Sequence, residues 1–193
     1  MVGTSGDDTL EGGEGNDSFR AGRGNDLIMG RGGDDDVRAG DGSDTVFGGS
    51  GDDVLRGEDG NYVIEGGNGR DVASYEGSDA GVAVSLAQGS APQSGGDAEG
   101  DVLLNIEDVR GSAHDDVLTG NNGPNLLLGG DGDDLIDGRG GRDTVDGGAG
   151  DDVVVVRDGA GRSFDGGSGF DTLRVLDRVG LNGDDEVTGF EAL

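Results

Sequence analysis

From Gly3 the chain repeats itself every nine residues for eight units without a gap, and a phase kept that long permits few folds. The units are Gly3–Glu11 (GTSGDDTLE), Gly12–Arg20 (GGEGNDSFR), Ala21–Met29 (AGRGNDLIM), Gly30–Arg38 (GRGGDDDVR), Ala39–Phe47 (AGDGSDTVF), Gly48–Arg56 (GGSGDDVLR), Gly57–Glu65 (GEDGNYVIE) and Gly66–Ser74 (GGNGRDVAS). Position four is glycine in all eight. Position six is Asp8, Asp17, Asp26, Asp35, Asp44, Asp53, Tyr62 and Asp71; position eight is Leu10, Phe19, Ile28, Val37, Val46, Leu55, Ile64 and Ala73. A second block of five units runs from Gly111 to Val155 and places Asp116, Asn125, Asp134, Asp143 and Asp152 at position six. One more unit, Gly166–Arg174, carries Asp171 there and is one residue out of phase.

Each unit reads as six residues of turn followed by three of strand. Glycine supplies the positive φ angles of a tight turn at little steric cost. Strand alternation sends position eight to one face and positions seven and nine to the other. The Leu, Phe, Ile and Val column therefore points inward. Two units complete a coil of eighteen residues, and strands of successive coils stack in parallel. The predicted class is all-β.

Such a core is narrow. Only 31% of the 193 residues are hydrophobic and 4% aromatic, so on composition alone the chain resembles a disordered acidic polymer. The period overrides that reading, but one inward residue per nine cannot offset ordering the turns, at ~1–2 kcal/mol per residue. A further stabilising agent is required, and the charge indicates which. Acidic residues outnumber basic ones 42 to 13, every basic residue is arginine, and the formal net charge is -29. That charge excludes nucleic acid and anionic membrane surfaces as partners and favours cations.

Units n and n+2 lie one above the other, so their position-six carboxylates converge from adjacent turns, with backbone carbonyls facing the same gap. Six to eight such oxygens suit a hard cation such as Ca²⁺. Without the ion, crowded like charges cost about 1–4 kcal/mol per close pair. One edge of the first block stacks Asp8, Asp26, Asp44 and then Tyr62, whose phenol is a poor ligand and breaks the series. The other edge stacks Asp17, Asp35, Asp53 and Asp71, giving five complete pairs in all. In the second block Asp116–Asp134 and Asp134–Asp152 are complete, and Asn125–Asp143 is weaker because an amide carries no charge. Asp152–Asp171 forms if a loop absorbs the extra residue. About seven or eight structural calcium ions are expected on this ligand set. A lone aspartate in such a turn reads as an Asx-type cap without metal; the phased array reverses that preference.

These units match GGxGxDxUx, with U large and apolar, and over roughly two thirds of its length the chain resembles the RTX (repeats-in-toxin) hemolysin-type calcium-binding nonapeptide family. The resemblance implies a right-handed parallel β-roll, a calcium-loaded solenoid. It also implies a secreted, extracellular or cell-surface bacterial protein, exported unfolded by a type I channel and folding where calcium reaches the ~10⁻⁴–10⁻³ M range of extracellular modules.

Four segments are expected: a first repeat block at 1–74, a non-canonical insertion at 75–110, a second block at 111–174 and a C-terminal cap at 175–193. Within the insertion Gly81–Leu86 reads as strand, Gln88–Gly100 as a mobile loop and Asp101–Val109 as further strand. Similar insertions occur in RTX relatives, which favours one continuous solenoid with an enlarged or interrupted coil. Gly159–Phe164 reads as a degenerate turn, while Leu173–Leu176 and Glu186–Leu193 resemble the closing segment that caps such rolls. With no cysteine, disulfide staples and thiolate metal sites are excluded. No apolar run approaches the ~18 residues of a membrane span. Met1-Val2 leads directly into a repeat, so the chain is expected to belong to a larger parent protein.

An enzyme is not expected. The lone histidine, His114, stands where position-four glycine belongs and reads as a tolerated turn residue. No nucleophile motif or HExxH zinc helix is present. Arg20, Arg38 and Arg56 recur every eighteen residues and read as local charge balance rather than a stripe for an anionic partner. The alternative function is a calcium-dependent adhesin or carbohydrate-binding module with a glycan or cell-surface partner. The mixed position-seven series Thr9, Ser18, Leu27, Asp36, Thr45, Val54 and Val63 speaks against it, since no uniform threonine or aromatic ladder is formed.

Overall fold

The computed structural model describes residues 1–87, 92–157, 162–176 and 185–191. The first block forms β1 (Thr9–Glu11), β2 (Ser18–Arg23), β3 (Leu27–Gly32), β4 (Asp36–Asp41), β5 (Thr45–Ser50), β6 (Val54–Arg56), β7 (Val63–Asn68) and β8 (Val72–Ser74). The middle contributes β9 (Ala83–Ser85), a 3-10 turn at Gly96–Ala98, β10 (Val102–Leu104) and β11 (Asp108–Arg110). Then follow β12 (Val117–Thr119), β13 (Leu126–Asp131), β14 (Leu135–Asp137), β15 (Thr144–Ala149), β16 (Val153–Val156), β17 (Ser163–Ser168), β18 (Thr172–Val175) and β19 (Glu186–Thr188).

Every ladder between these strands is parallel, and the register in the first block is the eighteen-residue coil: Leu10 pairs with Ile28, Ile28 with Val46, and Val46 with Ile64. The chain alternates between two faces, as a nine-residue half-coil requires, and the result is a parallel β-roll. One face is a single nine-stranded sheet in the order β2-β4-β6-β8-β11-β13-β15-β17-β19. The other is two five-stranded sheets, β1-β3-β5-β7-β10 and β9-β12-β14-β16-β18.

Position eight fills the space between the faces. Phe19, Ile28, Val37, Val46, Leu55, Ile64, Ala73, Val84, Leu103, Val109, Leu118, Leu127, Ile136, Val145, Val154 and Phe164 form one buried column. Each is flanked by smaller or polar groups, so the core is one side chain deep from each face. The strands are longer than the three-residue reading. Several continue through positions one to three of the next unit, because the glycine-rich corners also stack; Gly22 pairs with Gly40. Position four shows why glycine is required there. Gly42 has φ +142, and a Cβ on it would overlap the carbonyl oxygen of Gly24 in the coil below.

In the insertion the expected strand at Gly81–Leu86 is β9, with bounds Ala83–Ser85. Asp101–Val109 is not one strand but two, β10 and β11, on opposite faces. Asn105 turns the corner between them at φ +50. The expected loop is in its described part a packed structure: Ser94 bridges Ala83 antiparallel, Ala98 is fully buried and the Gly100 amide donates to the Gln93 carbonyl at 3.0 Å. Residues 88–91 of that loop lie outside the described residues. Phe164 also departs from expectation. Rather than ending a degenerate turn, it occupies the inward column in β17, where it pairs with Val145; residues 158–161 of that expected turn lie outside the described residues. Of the expected closing segment, β19 pairs with β17 and Phe190 packs against the core; 177–184 and 192–193 lie outside the described residues.

Candidate metal centre

The strands place every position-six residue at the corner where the chain enters a sheet, so these residues stack along two edges. All nine expected pairs lie on adjacent turns, and one hydrogen bond recurs: the backbone N–H of the lower residue donates to Oδ1 of the upper one. In the first block the distances are 2.7 Å for Asp8–Asp26, 2.8 Å for Asp17–Asp35, 2.7 Å for Asp26–Asp44, 2.8 Å for Asp35–Asp53 and 3.0 Å for Asp53–Asp71. In the second block they are 2.8 Å for Asp116–Asp134, 3.1 Å for Asn125–Asp143, 2.8 Å for Asp134–Asp152 and 2.9 Å for Asp152–Asp171. Asp8 and Asp17, in the first coil, are half-buried, and from Asp26 on these residues are buried.

That leaves the second oxygen. Oδ2 of Asp26, Asp35, Asp44, Asp53, Asp71, Asp134, Asp152 and Asp171 is buried and has no hydrogen-bond partner. These eight are the upper members of the eight stacked Asp–Asp pairs. A buried charged oxygen left unmatched costs about 1–3 kcal/mol or more, so the arrangement fits a bound cation. The glycine at position one is part of the same cradle. A Cβ at Gly30, Gly48 or Gly129 would strike Oδ2 of Asp35, Asp53 or Asp134. Among the described residues no group of three or more His, Cys, Asp or Glu side chains gathers at one point, so side chains alone do not make a complete shell.

A family model for the RTX calcium-binding nonapeptide repeat, four copies long, matches residues 2–37, 38–73, 110–145, 119–154 and 128–161. The chain belongs to the RTX calcium-binding repeat family. No curated protein matches its sequence. The RTX matches leave out residues 74–109, where the nonapeptide breaks down, and everything after 161, including the out-of-phase unit Gly166–Arg174.

Electrostatics in the RTX turns follow from burial. Desolvation pushes the carboxyls of Asp44, Asp53, Asp71 and Asp152 up to about 6, and that of Asp134 to about 7. The ladder hydrogen bond opposes this rise, and the neighbouring carboxylates add to it. Asp143 is also pushed up to about 6 by burial, but the positive charge of Arg162 draws it down.

A second ladder went unseen in the sequence. Position-five side chains cap the turn above: Asp7 Oδ1 accepts from the Asn25 amide at 2.8 Å, Asp34 from Asp52 at 2.9 Å, Asp52 from Arg70 at 2.8 Å and Asp133 from Asp151 at 2.8 Å. Position six caps downward and position five upward, so two consecutive turn amides are satisfied by side chains. The recurring DD and ND dipeptides were the available signal.

Several further position-six equivalents were not read from the sequence. Asp101 accepts from the Tyr62 amide at 2.9 Å and from the Tyr75 hydroxyl at 3.1 Å, and burial lifts its carboxyl to about 7. Glu107 accepts from the Asp71 amide at 3.1 Å, and Glu191 from the Asp171 amide at 2.5 Å. Arg162 and Asp185 are two more, the Arg162 amide donating to Asp185 Oδ1 at 3.1 Å. Tyr62, expected to interrupt its edge, is buried, and its hydroxyl donates to the Gly40 carbonyl. His114 is exposed in a turn that Ser112 organises by accepting its amide at 3.1 Å. Arg20, Arg38 and Arg56 stand in register, with Arg38 3.8 Å from Glu58 and Arg56 paired with Asp36.

Proposed function

We propose that the chain is a calcium-driven folding module of a larger secreted protein and that it holds eight structural ions, one at each stacked Asp–Asp pair. The observation that supports this is the set of orphaned Oδ2 atoms, one per complete pair. Asp8, Asp17 and Asp116 supply the lowest carboxylates, and the upper members supply the orphaned oxygens. Carbonyls of the glycine turns complete each shell with the oxygen ligands that calcium prefers. Calcium would supply positive charge to a stack that is otherwise self-repelling.

Where calcium is scarce, the unmatched carboxylates oppose the fold and the chain stays extended and exportable. Outside the cell, binding and folding become one equilibrium. On this reading the protein is secreted and its role is structural rather than catalytic. An adhesin role has weaker support, because the position-seven column Ser18, Asp36, Val54, Val72, Asp108 and Leu126 on the continuous sheet is mixed in chemistry and is interrupted by the buried Val72 and Asp108.

The test is far-UV circular dichroism of chelator-treated protein during calcium titration, with magnesium as control. A cooperative coil-to-β transition with calcium alone is expected, since magnesium demands a tighter octahedron and sheds water reluctantly. A spectrum indifferent to calcium would overturn the proposal.

A further inference from the structure

At three levels of the stack the position-six aspartate is replaced by a residue that turns back on the coil beneath; Asn125 donates to the Glu107 carbonyl at 2.5 Å, and the other two reach the carbonyls of a glycine turn. Arg162 enters β17 in the position-six slot and is 3% exposed. Its amide donates upward to Asp185 Oδ1 at 3.1 Å, as a position-six amide should. Its side chain points down: Nε donates to the Gly141 carbonyl at 2.9 Å, and Nη2 lies 3.5 Å from the Arg139 carbonyl. Those are the position-four and position-two carbonyls of the unit that carries Asp143. Tyr62 behaves in the same way one block earlier. Its hydroxyl donates to the carbonyl of Gly40, position two of the unit that carries Asp44.

We propose that Arg162 is a tethered substitute for a calcium ion, with Tyr62 as its neutral counterpart, so that these two inter-turn gaps are closed by the chain itself and take no metal. The proposal rests on the calcium reading of the intact pairs. A gap beneath a position-six residue presents carbonyl oxygens and the carboxylate of the lower turn. A guanidinium meets both needs, with permanent charge and five N–H donors in a fixed plane. It also excludes a divalent cation, through its volume and its like charge.

Charge along the edge supports the assignment. Asn125, Asp143, Arg162 and Asp185 follow one another on this edge and sum to a single negative charge, so this stretch needs little from an ion. The facing edge, Asp116, Asp134, Asp152 and Asp171, carries four negative charges and no such cation. The second block would therefore load calcium on one edge only. The other edge would be held by a pair that chelation cannot remove.

The experiment is ion counting by native mass spectrometry on calcium-loaded full chain, wild type against R162D and Y62D, with R20D as a surface control. Each gap variant is expected to hold at least one ion more than wild type, and a second where the new carboxylate also pairs with the aspartate above it, Asp185 or Asp101, and R20D the same number. Gap variants that fold and hold the wild-type number would overturn the proposal. A wild type that binds no calcium would instead sink the calcium reading on which it rests. Should R162D fail to fold, wild-type protein still decides the matter. The Arg162 Nε–H, assigned by its loss in R162K, should resist hydrogen exchange in saturating calcium. Rapid exchange there would mean that an ion has displaced the side chain.

Discussion

Asp53→Asn separates the two jobs of a position-six carboxylate. Asp53 is fully buried and belongs to two stacked pairs, below Asp71 and above Asp35. Asparagine keeps an Oδ1 that can accept the Asp35 amide but replaces the orphaned Oδ2 with an NH₂ group, whose hydrogens face the cation. Two ions should be lost. An ion present at one hundred times its dissociation constant contributes about 2.7 kcal/mol to stability, so the variant should lose about 5 kcal/mol in calcium. Asp8→Asn, at a half-buried site that belongs to one pair, should lose about half as much. In chelator the sign should reverse. Burial pushes the Asp53 carboxyl up to about 6, so at pH 7.5 its charge destabilises the ion-free roll. Removing that charge should restore about 1–2 kcal/mol after allowing for the solvent that reaches the turn. Urea unfolding followed by circular dichroism measures both effects, with trimethylamine oxide added to bring the ion-free fold into range. Equal destabilisation with and without calcium would refute the reasoning and leave Asp53 as a hydrogen-bond acceptor alone.

Protons should partly mimic the metal. Asp44, Asp53, Asp71 and Asp152 are raised to about 6 and Asp134 to about 7 from an ordinary 3.8. Acids raised by folding favour the fold at low pH and lose that contribution as pH rises through their folded values. Chelated protein should therefore gain β signal as pH falls from 7.5 to 5, while the calcium midpoint moves to higher concentration; a midpoint independent of pH would count against buried carboxylate ligands. Asp52→Ala tests the other ladder. It frees the Arg70 amide and should cost about 1 kcal/mol with or without calcium, at an unchanged ion count by native mass spectrometry.

What the sequence disclosed is what an unbroken period can carry. Eighteen-residue spacing alone stacks Asp17 on Asp35 and Phe19 on Val37, so the edges, the inward column and the nine pairs were legible without coordinates. Period says nothing about which way a side chain leans, and so the upward caps from Asp7 and Asp34 and the downward caps from Asp26 and Asp53 could not be told apart. Missing turn signatures hid the rest. Glu107 and Arg162 lie nine residues before Asp116 and Asp171, but neither follows a GGxG turn, and Asp101 stands off the period altogether, so a search for GGxGxD finds none of them. The chain also reaches β9, which pairs with β12, before β10, which returns to pair with β7; strand propensity contains no such order.

The unequal continuity of the two faces bears on how order travels. Below β10 and above β9 each coil is joined to the next through both sheets, but at the interruption, among the described residues, only β8, β11 and β13 carry the ladder across. In a linear array whose stability is a sum of neighbour couplings, one weakened link divides the chain into two cooperative segments that still communicate. Ions entering either block then order their own coils first, and the unbroken sheet passes a fraction of that gain to the other block, like a spine shared by two hands of a glove.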